Sequence, residues 1–332
     1  MKVAINGFGR IGRSVFRILE EVEGIDVVAI NDLFDPDALR YLLNYDTVRG
    51  PFGKSLTLED GHFVTPKGRV KLLGERNPAD LPWAEMGIDA VVEATGVFRK
   101  RAQLQQHIDA GAGRVLLTVP SSDSIDYTVV LGVNENGLLP EHRIISNASC
   151  TTNCLAPMAR VLNEEFGIVE GVINTVHAYT NDQRLADVPH SDWRRSRAAA
   201  ENIIPTSTGA AKAVGQVLPD LQGRLHGIAA RVPVPDGSVV DLFAKLGKSV
   251  TVADVNAAVH AAADTERLKG ILQYTERPVV SSDIIGNSHS SIYDASFSAV
   301  TGDRYVRVLN WYDNEWGYSC RVCDLLARLG SW

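Results

Sequence analysis

The chain has 332 residues, of which 45% are apolar and 22% charged, a composition typical of a globular protein with material for about two domains. Its formal net charge of −7 argues against a nucleic acid or a membrane surface as the main partner. We find no signal peptide and no apolar run of the ~18 residues that a membrane helix needs. The four cysteines fit a reducing compartment, so we expect a cytoplasmic protein with no nucleic-acid and no membrane partner.

A glycine-rich turn joins the first predicted strand to the first predicted helix. The apolar segment "KVAI" leads into Gly7, Gly9 and Gly12, and apolar residues then recur at helical spacing. This pattern predicts a dinucleotide site, because glycines let the backbone approach a pyrophosphate and the helix N-terminus offers free N–H groups. The next strand ends in Asp32, twenty residues after Gly12, where an acid can accept both ribose hydroxyls of NAD and repel the 2′-phosphate of NADP. A turn or helix-capping role is the structural alternative for Asp32.

Further strands alternate with helical segments through the first half of the chain. Apolar strands are predicted at 89–96, 114–120, 127–134 and 143–149, and a polar-faced helix, "KRAQLQQHIDAGA", lies between the first two. Residues 50–80 mix glycine, proline and charge, which indicates hairpins and a loop beside the sheet. The alternation predicts an α/β fold with a doubly wound, mainly parallel sheet.

The segment "SNASCTTNC" places Cys150 at the start of a predicted helix that Gly167 closes. A helix N-terminus favours thiolate over thiol, so Cys150 is a candidate nucleophile. Cys154, one turn deeper on the same face, is expected to pack as a small apolar residue. Cys320 and Cys323 form a C-x-x-C within an amphipathic pattern, and no second pair of ligands accompanies them. We therefore assign no function to that pair and expect no metal.

A nucleophilic thiolate needs a base, and the strand "GVINTVHA" carries His177 near its end. A lone histidine is more often structural, and the chain has eight, so spacing alone does not select His177. Its place at a strand end, in a chain that also offers Cys150 at a helix start and a dinucleotide motif, makes His177 the candidate base.

Two groups of residues suggest binding sites for anions. Arg194, Arg195 and Arg197 are concentrated in one short segment of a net-acidic chain, and Arg231 lies in a later strand where it could form a bidentate clamp. The pair 208–209, Thr-Gly, precedes a helix and offers a further nest of N–H groups. A solvated loop or salt bridges between subunits is the alternative for the arginines.

Six motifs in the same chain, taken together, are recognisable. "INGFGRIGR", "SNASCTTNC", "HAYTNDQR", "IIPTSTGAAKAV", "RVPVP" and "WYDNEWGY" resemble the glyceraldehyde-3-phosphate dehydrogenase family, the NAD-dependent phosphorylating enzymes of glycolysis, over essentially the whole chain. The resemblance implies a Rossmann dinucleotide-binding domain, formed by 1–149 and 314–332, and an α+β catalytic domain, 150–313, with a large mixed or antiparallel sheet. It also implies that 181–203 form an S-shaped loop and that the chain forms a homotetramer.

The resemblance further implies a role for individual residues. Cys150 would attack the aldehyde of glyceraldehyde 3-phosphate to form a hemithioacetal, and His177 would take the proton and later assist attack by inorganic phosphate on a thioester. The phosphate of the substrate would be held by Thr180, Arg195 and Arg231, and the attacking phosphate by Ser149, Thr151, Thr208 and Gly209. The residues that would contact NAD are Asn6, Gly7, Phe8, Gly9, Arg10, Ile11, Gly12, Asp32, Arg76, Thr95, Gly96, Thr118 and Asn314.

Two alternatives to this function stay open at the level of sequence. Erythrose-4-phosphate dehydrogenase shares "SCTTNC" and the glycine motif, but relatives of that type typically lack the residues found here as Thr180, Thr208 and Gly209. An NAD-binding redox sensor could also use a reactive thiol, although it would not need two phosphate sites. The segment 118–128, "TVPSSDSIDYT", departs from the family pattern and affects only peripheral cofactor contacts.

Overall fold

A computed structural model describes residues 1–332. The chain divides into two compact units: the first comprises Met1–Val129, Asn136–Ala148 and Ser319–Trp332, and the second comprises Val130–Glu135 and Ser149–Tyr318. The chain therefore returns to the first unit at Ser319, five residues after the predicted boundary at 314, and a short segment before the predicted boundary at 149 belongs to the second unit. No helix has both the length and the apolar character that crossing a membrane requires.

The first unit is built on one nine-stranded sheet. The elements of this unit are β1 (Lys2–Asn6), α1 (Arg10–Leu19), β2 (Asp26–Asn31), α2 (Pro36–Asn44), β3 (Thr57–Glu59), β4 (His62–Thr65), β5 (Gly68–Leu73), α3 (Trp83–Met86), β6 (Ala90–Glu93), α4 (Arg101–Asp109), β7 (Arg114–Leu117), β8 (Tyr127–Thr128) and β9 (Ile144–Ser146). The strands run in the order β3-β4-β5-β2-β1-β6-β7-β9-β8, parallel from β5 to β8 and antiparallel at the β3-β4-β5 edge. The strand order reverses at β1, which is where ligands bind in doubly wound folds.

The central strands of this sheet are buried on both faces, as parallel strands covered by helices must be. All four residues of β6 are buried, and Trp83 and Leu104, both fully buried, belong to separate clusters of the core. Each large apolar side chain removed from water in this way contributes roughly 1.5–3 kcal/mol to folding. The core thus fixes the strand ends at which the glycine turn begins.

The second unit contains an eight-stranded mixed sheet covered by a long helix. The elements are α5 (Cys150–Phe166), β10 (Ile168–Ala178), β11 (Ile204–Ser207), α6 (Ala210–Val217), β12 (Leu225–Val232), β13 (Ser238–Leu246), α7 (Val252–Ala263), β14 (Leu272–Thr275), α8 (Ser281–Ile284), β15 (Ser291–Asp294), β16 (Ala299–Thr301), β17 (Tyr305–Tyr312) and α9 (Trp316–Gly330), whose residues from Ser319 onward belong to the first unit. The strands of the sheet run in the order β11-β12-β10-β13-β17-β15-β14, with β16 paired to β17. The pairs β10/β12 and β14/β15 are parallel, and the other pairs are antiparallel.

The predicted fold class, a doubly wound α/β domain with an α+β domain that carries a large mixed sheet, is confirmed. The strand predicted at 127–134 is wrong in length: it is reduced to Tyr127–Thr128, and the chain then turns. Gly132 has a φ of +82°, a left-handed conformation that a β-strand does not accommodate, so the apolar run cannot continue as a strand.

Candidate active site

Cys150 is the first residue of α5, in the second unit. Ser149 is the N-cap, with extended φ and ψ of −107° and 163°, and its Oγ accepts a hydrogen bond from the Thr152 N–H at 3.1 Å. Most of α5 is buried against β13, β15 and β17, which explains why the helix is apolar nearly all round. The packed helix therefore holds the Cys150 sulfur at a fixed, half-buried position.

The parallel strands β10 and β12 bring two more predicted residues to this sulfur. His177 Nε2 lies 3.5 Å from Cys150 Sγ, and His177 is directly opposite Arg231 in the strand register. Arg231 Nη1 lies 2.6 Å from His177 Nδ1 and donates to the carbonyl oxygen of Ala178 at 3.1 Å. Arg231 Nε is buried and has no hydrogen-bond partner, so the guanidinium retains a donor for a further anion.

The two contacts of His177 Nδ1 favour opposite tautomers. The Ala178 carbonyl oxygen, 2.7 Å away, favours a proton on Nδ1, which leaves Nε2 as a base facing Cys150. The Arg231 N–H group favours an unprotonated Nδ1, which puts the proton on Nε2. The position of Arg231 therefore influences whether His177 Nε2 is free to accept the proton of Cys150.

Burial changes the proton affinity of both catalytic candidates. It raises the pKa of the Cys150 thiol, an effect that the charge of Arg231 opposes, and it lowers the pKa of His177 to about 3, with a further contribution from Arg231. Burial therefore opposes the preference for thiolate that a helix N-terminus provides, and the charge of Arg231 acts in the same direction as the helix N-terminus. Transfer of the proton from Sγ to Nε2 creates two opposite charges 3.5 Å apart, so it adds no net charge to the buried site.

Two of the three residues predicted to hold the phosphate of the substrate contact the carboxylate of Asp182, and the third, Arg231, interacts with it electrostatically. Thr180 Oγ1 donates to Asp182 Oδ1, and Arg195 Nη1 donates to Asp182 Oδ2 at 2.5 Å. Burial alone would raise the pKa of Asp182, but the hydrogen bond from Thr180 and the charges of Arg231 and Arg195 outweigh it and lower the pKa. Sequence reasoning missed Asp182, although it lies inside the quoted motif "HAYTNDQR". Its carboxylate marks a position that already accommodates an anion.

The residues predicted to hold the attacking phosphate lie at the starts of two helices that pack together, α5 and α6. Gly209 is the N-cap of α6 and has no side chain with which to cap it, and a Cβ added at Gly209 meets no atom within 4 Å. Thr208 Oγ1 accepts from the Ala210 N–H at 3.2 Å. Thr151 differs from the others, because its Oγ1 is buried and hydrogen-bonded to the hydroxyl of Tyr312 at 2.8 Å.

Tyr312 is a second residue that sequence reasoning missed. Its hydroxyl joins Thr151 Oγ1 to Thr175 Oγ1, at 2.8 and 2.9 Å, and its ring packs edge-on against the His177 imidazole with centroids 5.8 Å apart. Burial raises the pKa of Tyr312 well above its usual range, so the phenol stays neutral. The phenol thus supports Thr151 on α5 and His177 on β10.

The glycine turn in the first unit has the geometry that a dinucleotide requires. Gly7 has a φ of +92°, and a Cβ there would lie 2.6 Å from the Thr95 backbone nitrogen. A Cβ at Gly12 would lie 2.1 Å from the Gly7 carbonyl oxygen, so helix and turn pack backbone to backbone. Gly9, the N-cap of α1, faces open space, and no side chain caps the helix. The turn is therefore a cradle for an anion at a helix N-terminus.

Two family models match most of the chain. Residues 149–314 match the model described as the C-terminal domain of glyceraldehyde 3-phosphate dehydrogenase, and residues 1–101 match the NAD binding domain of the same enzyme. Similar proteins named glyceraldehyde-3-phosphate dehydrogenase occur in Borreliella burgdorferi (56% identical, 99% of both chains), Streptomyces coelicolor (54%, 100% of this chain and 99% of the relative) and Geobacillus stearothermophilus (53%, 100% and 98%). The chain belongs to the glyceraldehyde-3-phosphate dehydrogenase family. These matches favour neither of the two alternatives, the erythrose-4-phosphate dehydrogenase and the redox sensor.

As a member of this family the chain is an NAD-dependent oxidoreductase, and the glycine turn fits that cofactor. Asp32 Oδ2 accepts the Phe8 N–H at 2.7 Å, and Oδ1 accepts the Phe34 N–H at 3.1 Å, so the carboxylate is fixed beside the turn and keeps lone pairs for ribose hydroxyls. Both the turn interpretation and the cofactor interpretation of Asp32 are thus compatible with its contacts. The Phe8 side chain is buried, so this residue offers only its backbone.

The other residues proposed to contact NAD have varied surroundings. Arg10 forms an ion pair with Asp46, and Ile11 is half-buried in the first turn of α1. In the second unit, Asn314 is buried and its Oδ1 accepts from Ser238 Oγ at 2.6 Å. Arg76 and Gly96 are exposed, whereas hydrogen bonds connect Asn6, Thr95 and Thr118 to Glu93, a residue that sequence reasoning missed.

Proposed function

We propose that this protein catalyses the phosphorylating oxidation of D-glyceraldehyde 3-phosphate to 1,3-bisphosphoglycerate, with reduction of NAD, in glycolysis. The observation that carries the proposal is the 3.5 Å contact between Cys150 Sγ and His177 Nε2, next to Arg231 and the Asp182 cluster, in a chain of this family. A redox sensor needs a reactive thiol but has no use for cationic and hydroxyl groups gathered beside it.

Cys150 and His177 carry out the first step together. His177 Nε2 accepts the proton of Sγ as the sulfur attacks the aldehyde carbon, and a carbon–sulfur bond forms. The carbonyl oxygen gains negative charge, and the backbone N–H of Cys150 at the N-terminus of α5 is placed to stabilise it. The product of this step is a hemithioacetal anion on Cys150 beside a protonated His177.

When bound, NAD supplies the hydride acceptor that oxidises this hemithioacetal to a thioester. An oxygen of inorganic phosphate then attacks the acyl carbon, the carbon–sulfur bond breaks, and His177 returns the proton to sulfur. We propose that Ser149, Thr151, Thr208 and Gly209 bind the attacking phosphate. The buried Thr151 hydroxyl would contribute mainly by positioning α5 through Tyr312.

Charge complementarity supports the site for the phosphate of the substrate. Arg195 and Arg231 offer guanidinium donors and Thr180 offers a hydroxyl, all in contact with, or electrostatically coupled to, the Asp182 carboxylate. A phosphate has the same charge sign and the same acceptor chemistry as that carboxylate. We propose that the phosphate binds these donors and that Arg231 moves from His177 Nδ1 towards it.

Formation of NADH with and without inorganic phosphate tests the proposal. With phosphate we expect sustained turnover; without it we expect a burst of at most one NADH per subunit, because the thioester is not released. A rate that does not depend on phosphate would contradict the acyl-phosphate mechanism. Cys150→Ser is the control, since it should abolish the burst as well as the turnover.

We also propose that the chain forms a homotetramer in the cytoplasm. The apolar side chains Val172, Ile228 and Phe243 are 47–55% exposed on neighbouring strands of the second sheet, and Leu185 and Trp193 in the segment 181–203 are more than 80% exposed. Apolar surface of this kind favours association between subunits. All four cysteines are free thiols, which suits a reducing compartment. Light scattering that gives a monomer at working concentration would contradict the tetramer.

A further inference from the structure

We propose that Glu93 is a positioning residue for the cofactor, acting through a buried hydrogen-bond network beneath the dinucleotide site; the proposal rests on the NAD-dependent function. Glu93 is the last residue of β6, in the centre of the first sheet, and is completely buried. A carboxylate in such a place is costly unless every acceptor position is used. No step of the reaction uses it, so its position requires another explanation.

Both oxygens of Glu93 accept two hydrogen bonds each. Oε1 accepts from the backbone N–H of Thr95 at 2.9 Å and from the Thr95 hydroxyl. Oε2 accepts from Asn6 Nδ2 at 2.6 Å and from His107 Nε2 at 3.1 Å. Because an ionised carboxylate is purely an acceptor, four converging donors match its charged form.

The direction of the bond from His107 is set by Trp83. The indole Nε1–H donates to His107 Nδ1 at 3.0 Å, and an indole nitrogen can only donate. The remaining imidazole proton is therefore on Nε2, where it points to Glu93. Both His107 and Trp83 are completely buried, so these donors have no competing water.

On its other side the network reaches the neighbouring strand ends. Asn6, at the end of β1, accepts from Asn31 Nδ2 at 2.7 Å, and Asn31, at the end of β2, exchanges two hydrogen bonds of 2.8 Å with the backbone of Glu75. The Glu93 carbonyl oxygen accepts from Thr118 Oγ1 at 3.0 Å, just after β7. The buried carboxylate thus connects the carboxyl ends of β6, β1 and, through Asn6, β2, and the backbone carbonyl of Glu93 adds β7.

These strand ends carry the residues that we propose as NAD contacts. Asn6 and Thr95 are direct partners of Glu93, Thr118 binds its carbonyl oxygen, and Arg76 follows Glu75. The Thr95 backbone also lies where a Cβ of Gly7 would be, so a shift of Thr95 would change the floor of the glycine turn. Glu93 therefore fixes the positions of residues that touch the cofactor without touching it itself.

Glu93→Gln tests the inference, because an amide keeps the volume but has one acceptor oxygen and two N–H donors. In either orientation of the amide, at least one N–H of Thr95, Asn6 or His107 loses its acceptor. We expect the Kd for NAD, measured by titration calorimetry on the full-length protein, to rise about tenfold. We expect KM for NAD to rise with it, while kcat at saturating NAD and KM for glyceraldehyde 3-phosphate change less than about threefold.

Asp126→Asn is the matched control. Asp126 is a carboxylate of the first unit that is less buried than Glu93; it accepts the N–H groups of Arg143 and Ile144, both at 2.9 Å, and forms an ion pair with Arg101, but it has no bond to the Glu93 network. It should lower thermal stability and leave the Kd for NAD unchanged. An equal rise of the Kd for NAD in Glu93→Gln and Asp126→Asn would show a general loss of stability and would overturn the inference. A Kd for NAD in Glu93→Gln equal to that of the wild type would also overturn it.

A spectroscopic readout follows the network itself. Loss of the His107 contact to Glu93 should change the fluorescence emission of Trp83, so the emission spectra of Glu93→Gln and of the wild type should differ. When Trp83→Phe is introduced into both proteins, this difference between their spectra should disappear. A difference in emission that persists in the Trp83→Phe background contradicts the proposed connection.

If Glu93→Gln does not fold, His107→Ala removes one of the donors to Glu93, and we expect the Kd for NAD to rise about threefold. An unchanged Kd overturns the inference. NAD binding by the wild type is measured first, so failure of the proposed function is distinguished from failure of this inference.

Discussion

Arg231 Nη1 lies 2.6 Å from His177 Nδ1, and the two residues face each other on the parallel strands β12 and β10. This contact links the group proposed to bind the phosphate of the substrate to the group proposed to accept the proton of Cys150. When Arg231 moves towards a phosphate, His177 Nδ1 keeps one hydrogen-bond partner, the Ala178 carbonyl oxygen 2.7 Å away. The proton then belongs on Nδ1, and Nε2 is the base. We therefore propose that binding of substrate and activation of Cys150 are coupled.

Arg231→Gln should lower kcat/KM for glyceraldehyde 3-phosphate by about 30- to 150-fold, since losing a charged hydrogen-bond donor costs about 2–3 kcal/mol. The charge of Arg231 opposes the rise in the pKa of Cys150, whereas its contact with Nδ1 keeps Nε2 from acting as a base, so the rate at which iodoacetamide alkylates Cys150 in Arg231→Gln at neutral pH shows which of the two effects is larger. Steady-state kinetics and alkylation rates check both effects. Arg224→Gln is the control, because Arg224, just before the start of β12, binds the Ile168 carbonyl oxygen; equal losses in the two variants contradict the assigned role.

His177→Asn should lower kcat by about 100- to 10,000-fold, because it removes the base while keeping a side chain of similar polarity. It should also change the pH dependence of alkylation. Burial raises the pKa of Cys150, and a thiolate forms only as pH rises through that pKa, so the variant should react slowly near pH 7 and faster at each higher pH. The wild type should react faster near pH 7 because Nε2 accepts the proton. Identical profiles would show that His177 does not assist Cys150.

Most of the fold followed from local pattern in the sequence. The glycine turn, the helix after Cys150 and the strand ending near His177 depend on residues close together in the chain, which is where periodicity and capping rules apply. The strand expected at 127–134 failed because a positive φ at Gly132 interrupts an apolar run. A positive φ of 53° at Ala148, before the nucleophile, was not predictable at all, since alanine rarely adopts it.

The parts of the site that were missed depend on residues far apart in sequence. Tyr312 is 161 residues from Thr151, its hydrogen-bond partner, and His107 is 14 residues from Glu93 on a different element. Burial raises the pKa of Cys150, and the local sequence pattern of a helix N-terminus does not reveal that burial. Asp182 was closer in sequence, and its signal was an acid two residues after Thr180 in an otherwise cationic and hydroxyl-rich set.

Tyr312→Phe should lower the free energy of unfolding by about 1–2 kcal/mol, because the buried hydroxyls of Thr151 and Thr175 lose their shared partner. The ring would still pack against His177, so kcat should fall less than about tenfold. Urea denaturation and steady-state kinetics measure the two quantities. Tyr305→Phe, at an exposed position on the same strand, should change neither; a large loss of kcat without loss of stability in Tyr312→Phe would indicate a direct catalytic role for the phenol.

The glycine turn allows one pair of variants to separate folding from cofactor binding. At Gly12 an added Cβ would lie 2.1 Å from the Gly7 carbonyl oxygen, so Gly12→Ala should lower the free energy of unfolding by about 3 kcal/mol or prevent folding. At Gly9 the φ is −73° and an added Cβ meets nothing within 4 Å, so Gly9→Ala should lower the free energy of unfolding by less than about 1 kcal/mol. The new methyl group would nevertheless project into the space where we expect the pyrophosphate, and the Kd for NAD should rise about tenfold.

Thermal denaturation and calorimetric titration with NAD measure these two effects separately. If Gly9→Ala binds NAD as tightly as the wild type, the pyrophosphate does not lie against the N-terminus of α1, and the proposed set of contacts around this turn is wrong. If Gly9→Ala instead loses as much stability as Gly12→Ala, the space beside Gly9 is filled by protein in solution. The combination of normal stability and weak NAD binding is the outcome that only an anion cradle at this helix N-terminus produces.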